Sequence, residues 1–503
     1  SFQQHLKIAK KLGYKLIDSL GKGKHLRFQS ITSGGEPLYL ITHSTTQAGK
    51  MTKTNSLYKN GSLGLELTGK SDLLKGKLGM WDGGAVLDNH VELIGRTTKQ
   101  SGQSSTLSSH STHVAGIMIA AGKNTSVIGM SSEADLKYWD FDNDASEIAD
   151  ASKNDGLYVS NHSYGIQAGW VYDENRSKWA WWGYDPASKT EDYKFGAYDD
   201  NTRQLDQIAY NAPKYLVVKS AGNSRSENGP DTSATNKNYF QKYYIRNTST
   251  LDSIPRSRNN GYDIISTNAN AKNILTVGAL ESSLTLPSRP SAFSLSSYSA
   301  WGPTDDGRIK PDIMGIGSNI YSTTNSTTAT VTNLYEYNSG TSMASPQVAG
   351  SLFLLQQLYA QQNKGAIMRS ATLKGLAIHT ATDIGEVGPD YKTGWGVLDM
   401  EKAGSILLNK DLNHAVSELT LKNGESNKVS VIASGKGPLV VTITWTDPEG
   451  KAQGSVLNDR TPRLVNDLDL RVKDEANQYL PFILDPANPE KLAITGDNFR
   501  DNV

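Results

Sequence analysis

Apolar residues along the chain fall into three textures. In residues 1–50 a helical spacing (Leu6, Ile8, Ala9, Leu12) precedes two strand-like runs, 25–28 and 37–41, around a Ser33-Gly34-Gly35 turn. This zone is basic and too small for a good core of its own, so it is expected to pack on the larger zone beyond residue 50. From 51 to 408, short apolar runs alternate with helical patterns: 78–81, a helix from Thr112 to Ala121, 136–139, a helix from Ala145, then 215–218 and 274–278. Such alternation predicts an α/β domain, a parallel doubly wound sheet with helices on both faces. From 409 to 503, runs at 418–421, 428–432, 439–445 and 468–472 succeed one another without intervening helices. That texture predicts an all-β sandwich. No closing strand is evident before Val503, so truncation of this last domain is expected. No internal repeat stands out.

Composition narrows the function classes. The chain has 503 residues, 37% hydrophobic, with 46 glycines, as in a globular protein rich in turns. Lys plus Arg and Asp plus Glu both number 51, so the formal charge is zero and offers no electrostatic footprint for nucleic acid. No apolar run reaches the roughly 18 residues of a membrane span. Cysteine is absent, which excludes disulfides and thiolate metal sites without fixing a redox compartment. The sequence opens on Ser1 with no basic-then-apolar leader, as expected of a removed signal or a trimmed chain.

The chemistry concentrates in four segments. Gly340-Thr341-Ser342-Met343-Ala344-Ser345-Pro346 sets a serine at the mouth of an apolar helix running from Met343 to about Tyr359. A hydroxyl there meets the positive end of the helix dipole and unpaired backbone N–H groups, as an attacking oxygen and an oxyanion require. By itself the segment also fits an ordinary N-capped helix. Asp82 ends an apolar strand before Gly83-Gly84, His110 opens an apolar helix, and Asn223 comes after the buried run 215–218. Strand carboxyl ends and helix amino ends meet at one rim of a parallel sheet, so these four side chains can converge.

Asp82, His110, Asn223 and Ser342, in that order, resemble the signature of the subtilisin-like serine proteases over roughly residues 60–405. Asn161-His162-Ser163-Tyr164-Gly165, Gly302-Pro303-Thr304, Arg308-Ile309-Lys310-Pro311-Asp312-Ile313, Gly388-Pro389-Asp390 and Gly394-Trp395-Gly396 extend the resemblance. Val465-Asn466-Asp467-Leu468-Asp469-Leu470 is similar to a motif of the bacterial subgroup with a C-terminal β-sandwich, jelly-roll-like domain. The chain departs from the family in Ser111, where glycine is usual after the histidine, and in Gly83, where Thr or Ser usually comes after the aspartate.

The resemblance implies a secreted or cell-surface bacterial endopeptidase needing no catalytic cofactor and acting on protein or peptide substrates. It implies Ser342 as nucleophile, His110 as general base and then acid, Asp82 as the group holding the imidazole, and Asn223 as an oxyanion donor. Substrate is expected as an added strand beside Ser163, Tyr164 and Gly165, with a first specificity pocket between them and Ser220, Ala221 and Gly222. Lys219 reads as a solvated strand-end residue, or as a bias in that pocket against cationic side chains. His113 reads as a packed structural histidine. Residues 1–50 read as an extension or as the remnant of a prosegment, an intramolecular partner left over from a zymogen.

Weaker signals surround this core. Residues 166–200 hold nine aromatics, from Trp170 to Tyr198, which read as a small packed core or a binding platform. The oxygen ligands of Asp140, Asp142, Asn143 and Asp144 alternate as in calcium loops but lack the glycine and distal acid of an EF-hand. Asp144 with Glu147 reads better as a capping box. Structural calcium (Ca2+) is an expectation that the resemblance implies, without assigned ligands; Asp467 and Asp469 read as solvated strand faces or as calcium ligands. A competing reading is a catalytically silent or latent protease-like scaffold acting in binding or adhesion. A third, an α/β-hydrolase esterase, conflicts with the order of the residues, since that class places its serine first.

Overall fold

The computed structural model describes the chain outside residues 1, 14–16, 22–23, 32–36, 42, 174, 231–241, 246–248, 284, 327–328 and 436. At its centre lies a seven-stranded sheet: β1 (Leu78–Asp82), β2 (Thr97–Lys99), β3 (Leu136–Asp140), β4 (Val159–His162), β5 (Leu216–Ser220), β6 (Leu275–Leu280) and β7 (Ile313–Ile316). The strand order is β7-β6-β5-β4-β1-β3-β2, and every neighbouring pair is parallel. From β1 the chain crosses to the edge strand β2, comes back to lay β3 between β2 and β1, and then adds β4 to β7 on the other side of β1. That reversal puts the carboxyl ends of β1, β4 and β5 side by side, where open α/β sheets carry their sites.

The central strands β1, β5 and β6 are buried along their whole length, which is why they read as continuous apolar runs rather than alternating ones. Two helices cross the sheet beside its reversal point. Helix α1 (Ser109–Ile119) is buried from Ser111 onward, and α2 (Thr341–Gln362) is buried over most of its length. Helices apolar on all sides belong in a core, and these two pack on each other. α1 also presses on the strand Ile320–Thr324. A Cβ on Gly116 would sit 2.2 Å from Thr323 Oγ1, so only glycine permits that approach.

In the N-terminal zone a helix, Phe2–Lys11, precedes an antiparallel sheet of Ile17–Gly21, Lys24–Ile31 and Pro37–Ile41. The expected Ser33-Gly34-Gly35 turn lies outside the described residues. The aromatic insertion forms a four-stranded sheet from Trp170–Asp173, Lys178–Trp181, Tyr243–Ile245 and Leu251–Asp252. Trp170, Trp181 and Tyr243 make its buried core.

Beyond 409 the β-rich texture holds in part. Two antiparallel pairs form, Val472–Lys473 with Gln478–Tyr479 and Phe482–Ile483 with Ile494–Thr495. The runs 418–421, 428–432 and 439–445 form no ladder, contrary to expectation. Apolar side chains of these runs remain open to solvent: Val429 and Val431 are largely exposed and Ile432 fully so. The later part of the region is instead stitched onto the α/β domain. Lys272 Nζ, buried like its partner, donates to Asp447 Oδ2 at 2.6 Å and to the carbonyls of Pro448 and Arg463. Among the described residues no helix is long and apolar enough to cross a membrane.

Candidate active site

Asp82 is the last residue of β1 and is 1% exposed. His110 lies one residue inside α1, whose start is fixed by Ser108: its side chain accepts from the Ser111 N–H at 3.1 Å. The cap aims the imidazole at the strand end, and His110 Nδ1 lies 2.7 Å from Asp82 Oδ1. The same oxygen accepts from the Gly83 N–H at 2.7 Å and from Ser111 Oγ at 2.9 Å. Burial pulls the imidazole pKa down, but the charge and hydrogen bond of Asp82 outweigh it and hold His110 above its usual value, with Glu336 adding to the rise.

Ser342 is the second residue of α2, after Gly340, whose backbone is extended. Its hydroxyl donates to the Ser163 carbonyl at 3.1 Å, and Ser163 Oγ donates back to the Ser342 carbonyl at 2.9 Å. Pro346 explains the second bond. Lacking an N–H, it cannot serve the carbonyl four residues earlier, which is that of Ser342, and Ser163 takes its place. Asn161 steadies the arrangement by donating to Ser163 Oγ and accepting from Ser345 Oγ. No hydrogen bond joins His110 to Ser342 in this resting arrangement.

Asn223 Oδ1 accepts from both the N–H and the hydroxyl of Thr341, each at 2.9 Å. Its oxygen is thereby committed, and its Nδ2 donor lies beside Gly340. In the first turn of α2 the Thr341 N–H goes to Asn223 and the Met343 N–H to the Gly340 carbonyl. The Ser342 N–H keeps no protein acceptor among the described residues. An amide and a backbone donor thus flank the serine, the arrangement an oxyanion needs.

Behind the site, Trp81 stacks on Trp139 with ring centroids 4.1 Å apart and on His162 at 5.0 Å. Burial, with the charge of Lys219, keeps His162 well below its usual pKa and therefore neutral. His113 is a core residue as expected: it is buried, its Nε2 contacts the Ile320 and Glu336 carbonyls, and burial lowers its pKa to about 4.

Lys219 overturns its reading as a solvated residue. It is 2% exposed, its Nζ donates to the Tyr164 carbonyl at 2.7 Å, and it lies 3.9 Å from the centre of the Tyr164 ring. A long amphipathic stem inside a buried strand must find a polar end-point, and the carbonyl of the 163–165 segment supplies it. Tyr164 in turn donates to Asp144 Oδ2 at 2.6 Å. Ser220 and Ala221 are buried and Gly222 is partly exposed, with the Gly222 N–H donating to Thr341 Oγ1.

The capping box expected at Asp144 and Glu147 does not form. Asp144 is drawn to Tyr164, and Glu147 turns to Trp81 Nε1 and Gln103. Asp140 accepts from the backbone N–H groups of Ser104 and Asp142. Among the described residues no three His, Cys, Asp or Glu are grouped to hold a metal.

Sequence reasoning misses two members of this site. Ser111 stands out in the sequence only as a departure from glycine, and its bond to Asp82 depends on the helix cap. Thr341 carries no signal beyond its place before the serine.

Comparison with known proteins is consistent with this geometry. The profile of the Peptidase_S8 subtilase family matches residues 81–396. The serine protease/ABC transporter B family protein tagD of Dictyostelium discoideum is 24% identical over an alignment covering 74% of this chain and 25% of that protein. The C5a peptidase of Streptococcus pyogenes is 33% identical over 30% of this chain and 12% of its own length. The PI-type proteinase of Lactococcus lactis subsp. cremoris is 29% identical over 35% of this chain and 9% of its own. The chain therefore spans a quarter or less of these relatives. Among solved structures, the Clostridium perfringens CspB protease superposes with a TM-score of 0.51 at 16% identity, covering 73% of this chain and 98% of that one, a likeness of fold.

Proposed function

The chain belongs to the subtilase family, and from that premise we propose that it is a secreted or cell-surface serine endopeptidase cleaving unfolded or flexible protein substrates. One observation carries the reading: the buried Asp82 carboxylate lies 2.7 Å from His110 Nδ1, at the rim where Ser342 opens a core helix. Ser342 Oγ attacks the peptide carbonyl while His110 takes its proton, later delivering it to the leaving amine. Asp82 accepts the Nδ1–H, so that Nε2 is the basic nitrogen, and stabilises the imidazolium as it forms. Asn223 Nδ2 and the Ser342 N–H receive the tetrahedral oxyanion.

The substrate main chain adds as a strand beside Ser163, Tyr164 and Gly165, and its first side chain enters between them and Ser220, Ala221 and Gly222. Residues 1–50 act as the remnant of a prosegment, 51–408 as the catalytic domain and 409–503 as a stabilising β-rich domain. The names of the C5a peptidase, the PI-type proteinase and the tagD serine protease agree with a peptidase reading.

The test is intact-mass analysis after fluorophosphonate treatment, with casein hydrolysis in parallel, for the native chain and Ser342→Ala. One adduct on the native chain alone, and casein cleavage lost in the variant, is the expected result. An adduct only after removal of residues 1–50 would identify a latent zymogen. No adduct in either form would overturn the reading in favour of a silent binding scaffold.

A further inference from the structure

The Asp82 carboxylate is held lopsidedly. Oδ1 accepts three hydrogen bonds, from His110 Nδ1, the Gly83 N–H and Ser111 Oγ, while Oδ2 is buried with no partner among the described residues. Buried carboxylate oxygens are ordinarily satisfied, so this asymmetry calls for a cause. Ser111 supplies one. It is fully buried, and its own N–H is pinned to the Ser108 cap, so its hydroxyl reaches the carboxylate from a fixed direction with no water competing.

We infer that Ser111 is a positioning residue of the catalytic machinery, locking Asp82 with Oδ1 toward His110 and moderating how strongly that oxygen draws the Nδ1 proton. The inference rests on the protease reading above. A side chain that merely filled space would need no hydroxyl, and the glycine usual at this place would leave Oδ1 with two donors. Without the third donor only the Gly83 N–H and His110 hold Oδ1, and the carboxylate turns more easily about its last bond to offer His110 either oxygen.

The sign of the effect is set by the charge. Each donor to Oδ1 stabilises its negative charge and weakens its hold on the imidazolium. Removing Ser111 Oγ therefore raises the His110 pKa while loosening the geometry. The other groups facing this pair are Glu336 on the strand Leu334–Asn338, the neutral His113 on α1, and Tyr164, behind which lie Asp144 and Lys219. None of them changes with the substitution.

The experiment compares the native chain with Ser111→Ala, Ser111→Gly and Ser111→Thr. Pre-steady and steady-state hydrolysis of a peptide substrate is monitored from pH 5 to 9. In a Ser342→Ala background, NMR tracks the His110 ring through the same titration. For Ser111→Ala and Ser111→Gly the expected result is kcat lower by about 10-fold at neutral pH with KM unchanged, and an acid limb displaced upward. Ser111→Thr, which keeps a hydroxyl, restores the limb. Native-like pH profiles and His110 titrations in the Ala and Gly variants would overturn the inference. Loss of the cooperative unfolding transition in both would overturn it as well, because the hydroxyl would then serve the fold. A native chain that neither hydrolyses peptide nor takes up fluorophosphonate would sink the protease reading instead, while the NMR titration would still report the Ser111 contact.

Discussion

Thr341 holds Asn223 by two bonds to one atom: its backbone N–H and its hydroxyl both donate to Oδ1 at 2.9 Å. An amide whose oxygen is committed twice has its nitrogen aimed without a further rotamer to choose. Asn223→Ala is expected to lower kcat by about 10² to 10³ with little change in KM. Thr341→Val, which keeps the N–H bond and loses the hydroxyl, is expected to cost about 10-fold, in keeping with one lost hydrogen bond to a positioning group. Steady-state kinetics on a peptide substrate check both, and a Thr341→Val enzyme with native kcat would remove Thr341 from the oxyanion machinery.

His110 is held above its usual pKa by Asp82. Since the base must be neutral to accept a proton, kcat/KM is expected to rise with pH along a limb centred above about 6.5. Stability runs the other way. A folded-state pKa above the unfolded value gives a contribution fully present below about 6.5 and lost as pH rises through the folded pKa. His110→Ala should therefore lower Tm more at pH 5.5 than at pH 9, and an equal drop at both would contradict the raised pKa.

Lys219 titrates in the opposite sense. Burial lowers its pKa to about 7, with Asp144 opposing the shift. For a depressed pKa the stability is complete above the unfolded value near 10.5 and declines as pH falls toward 7. Native Tm should thus gain between pH 7 and 10 from this group, at up to about 1.4 kcal/mol per pH unit. Thermal melts of Lys219→Met should show that part of the slope flattened; an unchanged slope would mean that the ammonium incurs no burial penalty.

The Lys272–Asp447 pair is fully buried at 2.6 Å and joins the C-terminal region to the α/β domain. Breaking one side leaves an uncompensated charge in the interior, which typically costs about 3–5 kcal/mol. Lys272→Met is expected to lose that much in urea unfolding, and the double variant Lys272→Met with Asp447→Leu to recover most of it. A loss under about 1 kcal/mol for the single change would mark the pair as solvated.

The site is legible in the sequence where its chemistry is local. Asp82 closes an apolar run, His110 and Ser342 each open a core helix, and Asn223 comes after a buried strand. β1 and β6 are equally plain, because strands buried on both faces carry a mainly apolar signal, and β3 and β5 show through their apolar stretches around Tyr138-Trp139 and Leu216-Val217-Val218. The edge strand Thr97–Lys99 is polar and short, and gives no such signal. β4 shows why burial cannot be read from polarity: Ser160, Asn161 and His162 are all buried, satisfied by the neighbouring Ser163 and Tyr164 and by Tyr215 and Ser345 from distant parts of the chain. Lys219 escapes for the same reason. The C-terminal runs mislead in the other direction. Alternation at Val429 and Val431 describes a strand's two faces but cannot say whether a partner strand lies alongside.

The bond from Ser342 Oγ to the Ser163 carbonyl has a consequence for what the protein will tolerate as a visitor. That carbonyl stands on the edge where a peptide would be laid, so an incoming N–H and the serine hydroxyl compete for one acceptor. On the endopeptidase reading proposed above, a peptide that docks in register would compete for the carbonyl and free the hydroxyl toward the imidazole. A small ester that brings no donor to that edge would meet a nucleophile still tethered, at a disadvantage of about one hydrogen bond, roughly 1 kcal/mol or several-fold in rate. On that reading the resting molecule is its own safety catch, lifted by the backbone of a substrate before any of its side chains has been read.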